Sequence, residues 1–233
     1  MIYVHNKQVA VIGLGRSGLA AAKLLSVRGA QVAVFDEKTP EKLADWIDKT
    51  KDLPLTLSLG GMDLAAILQS DLVVVSPGVP FDHPALERAR EKGIRVIGEL
   101  ELAYGYCPAP VAAITGTNGK TTTTALTAAM IEASGKRALA CGNIGRAFSE
   151  GVFELSAEDW AVLEVSSFQL ETIETFRPDV AAVLNITLDH LDRHKNMQAY
   201  VEMKSRIFEN QTPEDAAVLN LNDKYTPLFA ELL

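Results

Sequence analysis

Twice in this chain a short apolar run ends in a glycine-rich turn that opens directly into a helical stretch. The first instance runs from Gln8–Ile12 through Gly13-Leu14-Gly15-Arg16-Ser17-Gly18 into a helix predicted over Ser17–Arg28. The second runs from Val111–Ile114 through Thr115-Gly116-Thr117-Asn118-Gly119-Lys120-Thr121 into a helix over Thr121–Ala133, stopped by Gly135. A strand covered by helices on both faces reads as an unbroken apolar run, and these do. The alternation continues along the chain. Further strands are predicted at Gln31–Phe35, Leu72–Val75, Ile94–Ile97, Ala161–Val165, Val180–Ile186 and Ala216–Asn220, with helices over Pro40–Lys49, Pro84–Lys92 and Met197–Glu209. Such a pattern, without any fixed-period repeat, specifies an α/β protein built on parallel sheet.

The punctuation divides the chain in two. Tyr104–Pro110 holds a glycine and two prolines, which places a linker between Gly98 and Pro110. The expected domains are residues 1–99, Rossmann-like, and residues 100–233, a phosphate-loop-type α/β domain. The last expected strand lies close to Leu233, so the second domain is expected to be incomplete at its C-terminal end. Hydrophobic residues make up 48% of the chain and charged residues 22%, which excludes global disorder. A net charge of -8 argues against a protein that coats nucleic-acid phosphates. It leaves room for local phosphate pockets, which need only backbone amides and one or two lysines. The apolar runs are strand-sized, well short of a membrane span, and no secretory leader is legible. Cys107 and Cys141 lie far apart with no ligand spacing, so a reducing cytoplasm and thiols without a role are expected.

Each turn carries chemistry. Gly13–Gly18 is a full G-x-G-x-x-G, and Asp36 closes the next strand 18 residues beyond Gly18. By themselves these residues read as a dinucleotide site for NAD, or as a purely structural turn. The second turn ends in Gly119-Lys120-Thr121, the close of a phosphate-binding loop. There amides cradle phosphates, the lysine reaches the terminal ones and the threonine hydroxyl can hold Mg²⁺. It departs from the general motif in having Ile114 where the first glycine belongs. Glu164, inside an apolar strand, needs either a metal or a salt bridge as partner. His190 and His194 have the spacing of a zinc pair, but no third nitrogen or sulfur donor lies near them in sequence. His194 and His83 read as surface residues, and Lys204, taken alone, as a solvated charge on an amphipathic helix.

Thr115–Thr121 resembles the ATP loop of the Mur ligases, the ATP-dependent amide-forming enzymes of peptidoglycan synthesis, which folylpolyglutamate synthases share. Leu163-Glu164-Val165-Ser166-Ser167-Phe168-Gln169-Leu170-Glu171 is similar to the D-glutamate-adding branch of that family. Gly142–Gly145, Asn185–Arg193, Lys204–Asn210, the Gly13–Gly18 turn and Ser76-Pro77-Gly78 resemble it too, in order over nearly the whole chain.

The resemblance implies that the first domain holds the UDP part of a substrate rather than a nicotinamide. Arg16 and Ser17 would meet the diphosphate and Asp36 the uracil, with Ser76 also in the substrate site. Asn143 would lie near the reacting carboxylate. Gly116, Thr117, Asn118, Gly119, Lys120 and Thr121 would bind ATP. Thr121 and Glu164 would hold one Mg²⁺, His190 a second, and Lys204, carbamylated by CO₂, would serve as an anionic metal ligand. The catalytic set would be Lys120, His190 and Lys204. The implied substrates are UDP-N-acetylmuramoyl-L-alanine and D-glutamate, handled by a cytoplasmic monomer with neither nucleic acid nor membrane as partner. Family members place much of the D-glutamate site on a third domain, so this stretch is expected to bind the UDP substrate without turnover. Three rivals are a sibling ligase adding another amino acid, an NAD-dependent oxidoreductase and a non-catalytic UDP-sugar-binding module. The oxidoreductase leaves Thr115–Thr121 unexplained.

Overall fold

The computed structural model describes residues 2–189, 191–194 and 196–233, excepting the side chains of residues 191 and 192. The chain forms two compact units. One comprises Met1–Tyr106 with Ala147–Glu150 and Thr172–Glu174, and the other Cys107–Arg146, Gly151–Glu171 and Thr175–Leu233. No helix of the described residues is long and apolar enough to cross a membrane.

The first unit runs β1 (Gln8–Ile12), α1 (Arg16–Val27) and β2 (Gln31–Asp36), then a 3₁₀ turn over Pro40–Leu43 leading into α2 (Ala44–Asp48). It continues with β3 (Leu55–Leu59), α3 (Leu64–Ile67), β4 (Leu72–Val75), α4 (Pro84–Glu91), β5 (Arg95–Gly98) and α5 (Glu99–Tyr104). The five strands form one sheet in the order β3-β2-β1-β4-β5, parallel at every pairing. Every residue of β4 is buried, and one face of the sheet packs Ile12, Phe35, Val73 and Val75 against Ile67, Leu86 and Ala89. Strand order reverses at β1. The crevice beyond the C-terminal ends of β1 and β4 is therefore where a Rossmann-like sheet presents its ligand site.

The second unit is built on β6 (Val111–Thr115), α6 (Lys120–Ala133) and β7 (Ala138–Gly142); the chain then passes through the short α7 (Phe148–Gly151), which belongs mostly to the first unit, before β8 (Trp160–Glu164) and α8 (Ser167–Leu170) of the second. There follow β9 (Val180–Val183), α9 (Leu191–His194), α10 (Met197–Ser205) with a 3₁₀ turn over Arg206–Phe208, β10 (Ala216–Leu219) and α11 (Thr226–Ala230). Its sheet, also parallel throughout, has the order β10-β9-β6-β8-β7. The central β6 lies between β8 and β9, and their C-terminal ends converge on one crevice.

α5 occupies the first part of the stretch between Gly98 and Pro110, with Leu100, Leu102 and Ala103 buried, and the chain passes from one unit to the other at Tyr106–Cys107. Two element boundaries need correction. The strand expected over Val180–Ile186 ends at Val183, and the helix expected over Met197–Glu209 gives way to the 3₁₀ turn after Ser205. β3 and β7 have no counterpart in the sequence reading.

Candidate functional site

In the second unit, β6 delivers the Thr115–Thr121 turn to the mouth of its crevice and α6 begins at Lys120. Lys120 Nζ reaches back across the loop to the carbonyl oxygens of Gly116 (3.0 Å) and Thr117 (2.8 Å). Thr121 Oγ1 donates to Glu164 Oε2 at 2.6 Å. Glu164 ends β8 and is only 3% exposed, and its other oxygen accepts from Asn143 Nδ2 at 2.7 Å. The buried carboxylate thus has two neutral donors. A carboxylate and a hydroxyl side by side at the edge of a glycine-rich loop form an oxygen set that suits a hard divalent cation such as Mg²⁺.

Lys204 enters the same crevice from α10. It is 2% exposed, so the solvated-charge reading fails. Its Nζ donates to Gly116 O at 3.0 Å and lies 3.3 Å from Thr115 Oγ1. Burial and the neighbouring Lys120 charge pull its pKa down to about 7, against the opposing pull of Asp189 and Glu164. A large fraction of this amine is neutral and nucleophilic near neutral pH.

His194 corrects the surface reading more sharply. At 5% exposure its Nε2 bonds Ser167 Oγ at 2.8 Å, and its ring stacks on Phe168 with 5.1 Å between centroids. Tyr200, with its ring centroid 5.2 Å from that of His194, carries the contact to Thr117 Oγ1 at 3.2 Å. His83 is no free surface residue either, since its Nδ1 accepts from Ala85 N and caps α4. His190 lies outside the described residues.

In the first unit the Gly13–Gly18 turn opens α1 with Arg16 exposed and Ser17 half-buried. Asp36 is buried and ties two loops together, accepting from Leu14 N at 2.7 Å and Lys38 N at 2.8 Å. Ser76 Oγ donates to Gly13 O at 2.9 Å. Gly18 is demanded by packing, because a Cβ there would overlap Gly13 O. Arg16, Ser17, Asp36 and Ser76 therefore gather around one turn in the first unit, while Asn143 joins Thr121 and Glu164 in the second.

Two positions escaped the sequence reading. Gln169 is buried, and with Ser166 it closes a reciprocal capping box on α8. The Ser-x-x-Gln spacing was the available signal. The other is Asn185, whose side chain bonds both backbone groups of Asn118.

A Rossmann-like sheet with a glycine turn, joined in one chain to a second parallel sheet with a glycine turn of its own, defines a two-sheet α/β protein. The chain belongs to the Mur ligase family: the Mur ligase middle domain matches residues 114–233, and the Mur ligase MurD-like N-terminal domain matches residues 7–98. It is 49% identical over 221 residues, 95% of this chain, to the UDP-N-acetylmuramoylalanine--D-glutamate ligase of Koribacter versatilis, covering 49% of that protein. Proteins of the same name from Geotalea daltonii and a Thermoanaerobacter species are 49% and 44% identical, over 97% and 96% of the chain and 49% of each relative. The chain spans about half the length of the curated relatives it matches. Among solved structures, the UDP-N-acetylmuramate:L-alanyl-gamma-D-glutamyl-meso-diaminopimelate ligase from Neisseria meningitides shares the fold. The TM-score is 0.63 at 18% identity, over 97% of this chain and 75% of that one.

Proposed function

We propose that this chain forms the substrate-binding and ATP-binding parts of a ligase that joins D-glutamate to UDP-N-acetylmuramoyl-L-alanine. The observation that carries the reading is the similarity to relatives of that name, which runs through both sheets and both glycine turns. In this reading residues 1–99 hold the UDP substrate through Arg16, Ser17, Asp36 and Ser76, and residues 100–233 hold ATP. The enzyme is a cytoplasmic monomer.

ATP phosphorylates the free carboxylate of the L-alanyl group, giving an acyl phosphate and ADP. The amine of D-glutamate then attacks that carbonyl and phosphate leaves. Because phosphate leaves well, the protein needs no nucleophile of its own, and its task is positioning and charge neutralisation. Lys120 neutralises the terminal phosphates, and the loop's amides orient them. Asn143 holds the reacting carboxylate near Glu164. Thr121 and Glu164 would hold one Mg²⁺, and His190 with Lys204 a second. When bound, these ions supply positive charge against the phosphate oxygens. Lys204 would join them as a carbamate: its neutral amine adds to CO₂ and sheds a proton, which converts a cation into an anionic oxygen donor. Its low pKa supports that step.

Phosphate release by the whole protein, supplied with ATP, UDP-N-acetylmuramoyl-L-alanine and single amino acids, tests the reading. Release with D-glutamate alone is expected. Release with another amino acid instead would move the chain to a sibling ligase.

A further inference from the structure

Beyond Val183 the chain does not leave the sheet but runs along the phosphate loop. The β6–β9 ladder continues past both strands, with Leu184 N donating to Thr115 O at 3.0 Å and Thr117 N to Asn185 O at 2.8 Å. From there side chains take over. Asn185 grips both backbone groups of Asn118, its Oδ1 accepting from Asn118 N and its Nδ2 donating to Asn118 O, each at 2.9 Å. Thr187 N donates to Thr117 Oγ1 at 3.0 Å, and Asn118 Nδ2 donates to Thr187 Oγ1 at 3.2 Å. The segment is also fixed from behind. Asn220 Nδ2 donates to Leu184 O at 2.9 Å, and Ile186 N donates to Asp223 Oδ2 at 2.7 Å.

The loop's own sequence is shaped by this clasp. Gly116 sits at φ +146°, and a Cβ there would meet Leu184 Cβ at 3.1 Å and the backbone of Asn185 at 3.3 Å. The glycine is needed for the approach of the 184–187 segment as much as for any phosphate. The departure at Ile114 follows instead from the sheet itself. That residue is still inside the ladder, paired with Glu164 on one side and Ala182 on the other, so no glycine is wanted there. The clasp also consumes the N–H groups of Thr117 and Asn118. The cradle expected from the whole loop is thereby narrowed towards the start of α6 and the Lys120 side chain.

We propose that Asn185 is a positioning residue of the nucleotide site. It fixes the Asn118 peptide so that the amides at the start of α6 and Lys120 face the phosphates. Because its segment leads directly to Asp189, nucleotide binding and the placement of that segment are coupled. This rests on the reading of the loop as an ATP site.

The test combines residue-resolved amide hydrogen exchange with titration by Mg-ATP, on this chain and its Asn185→Ala and Asn185→Asp variants. Asn185→Ala is expected to weaken ATP binding about tenfold, from the loss of two hydrogen bonds. It should also speed exchange at Asn118 in the free protein. Asn185→Asp keeps the acceptor for Asn118 N–H and loses the donor, so exchange at Asn118 should fall between the other two. The Thr117 amide, bonded to the backbone of residue 185, should stay protected in all three and report an intact ladder. In the unsubstituted chain, ATP should slow exchange at Ile186 and Thr187. If Asn185→Ala leaves both ATP affinity and Asn118 exchange unchanged, the proposal is wrong. If the unsubstituted chain fails to bind ATP, the ATP reading fails, while exchange at Asn118 still decides whether Asn185 sets the loop.

Discussion

Lys204 is where burial and charge pull hardest against each other at the scale of one residue. Almost fully enclosed, with Lys120 nearby, it has a pKa pulled down from 10.5 to about 7. The linkage has a definite sign. Below about pH 7 the folded and unfolded chains both carry the proton and the burial penalty is felt in full. Between there and the ordinary lysine value of 10.5 the unfolded chain holds a proton that the folded one has lost, so stability rises with pH. Lys204→Met keeps an unbranched side chain of similar length and removes the charge. It is expected to raise the urea midpoint relative to the unsubstituted chain at about pH 6, with the advantage shrinking towards about pH 9. An equal difference at both would show that Lys204 does not titrate in this window. Glu164 resolves the same conflict otherwise, by taking hydrogen bonds from Thr121 and Asn143.

At the scale of elements, the Gly13–Gly18 turn separates glycines that hold the fold from those that leave room. A Cβ at Gly18 would overlap Gly13 O, where the turn packs against the start of α1, whereas a Cβ at Gly15 meets nothing within 4 Å. Gly18→Ala should therefore destabilise the first unit by about 1–3 kcal/mol. Gly15→Ala should change stability by less than about 0.5 kcal/mol and show itself in weaker UDP-substrate binding. Thermal unfolding and calorimetry on the two variants check this, and equal destabilisation would overturn the distinction. The same turns made the central strands legible: β1, β4 and β6 are apolar runs that stop at a glycine or a Ser-Pro-Gly turn. The strands that were missed, β3 and β7, lie at sheet edges. β3 is only partly buried, and β7 spells Ala-Leu-Ala-Cys-Gly, small residues with little strand character of their own. α5 was hidden because its acidic residues, Glu99 and Glu101, are themselves buried, which breaks the polar face that marks a surface helix. His194 was misread for a related reason. Its partners Ser167 and Phe168 lie on α8, and no local pattern announces a contact across that separation.

On the scale of the whole molecule, two parallel sheets carry two glycine turns, one in each unit. That duality was readable in the sequence because both turns recur between a buried strand and a helix. The holding of the second loop by Asn185 was not, since it depends on β9 lying beside β6. The Lys120 ammonium bonds the carbonyls of Gly116 and Thr117 in the second unit, and Asn143, proposed to meet the substrate, bonds Glu164. Lys120→Ala should thus weaken ATP binding about 10- to 100-fold, the worth of a lost charge-assisted contact, while UDP-substrate affinity changes less than about twofold. Arg16→Ala should do the reverse, because Arg16 stands exposed at the head of α1 in the first unit. Calorimetric titration of each variant with each ligand checks both halves. If Lys120→Ala lowers both affinities alike, UDP substrate and ATP do not occupy separately built sites, and assigning one ligand to each glycine turn is wrong.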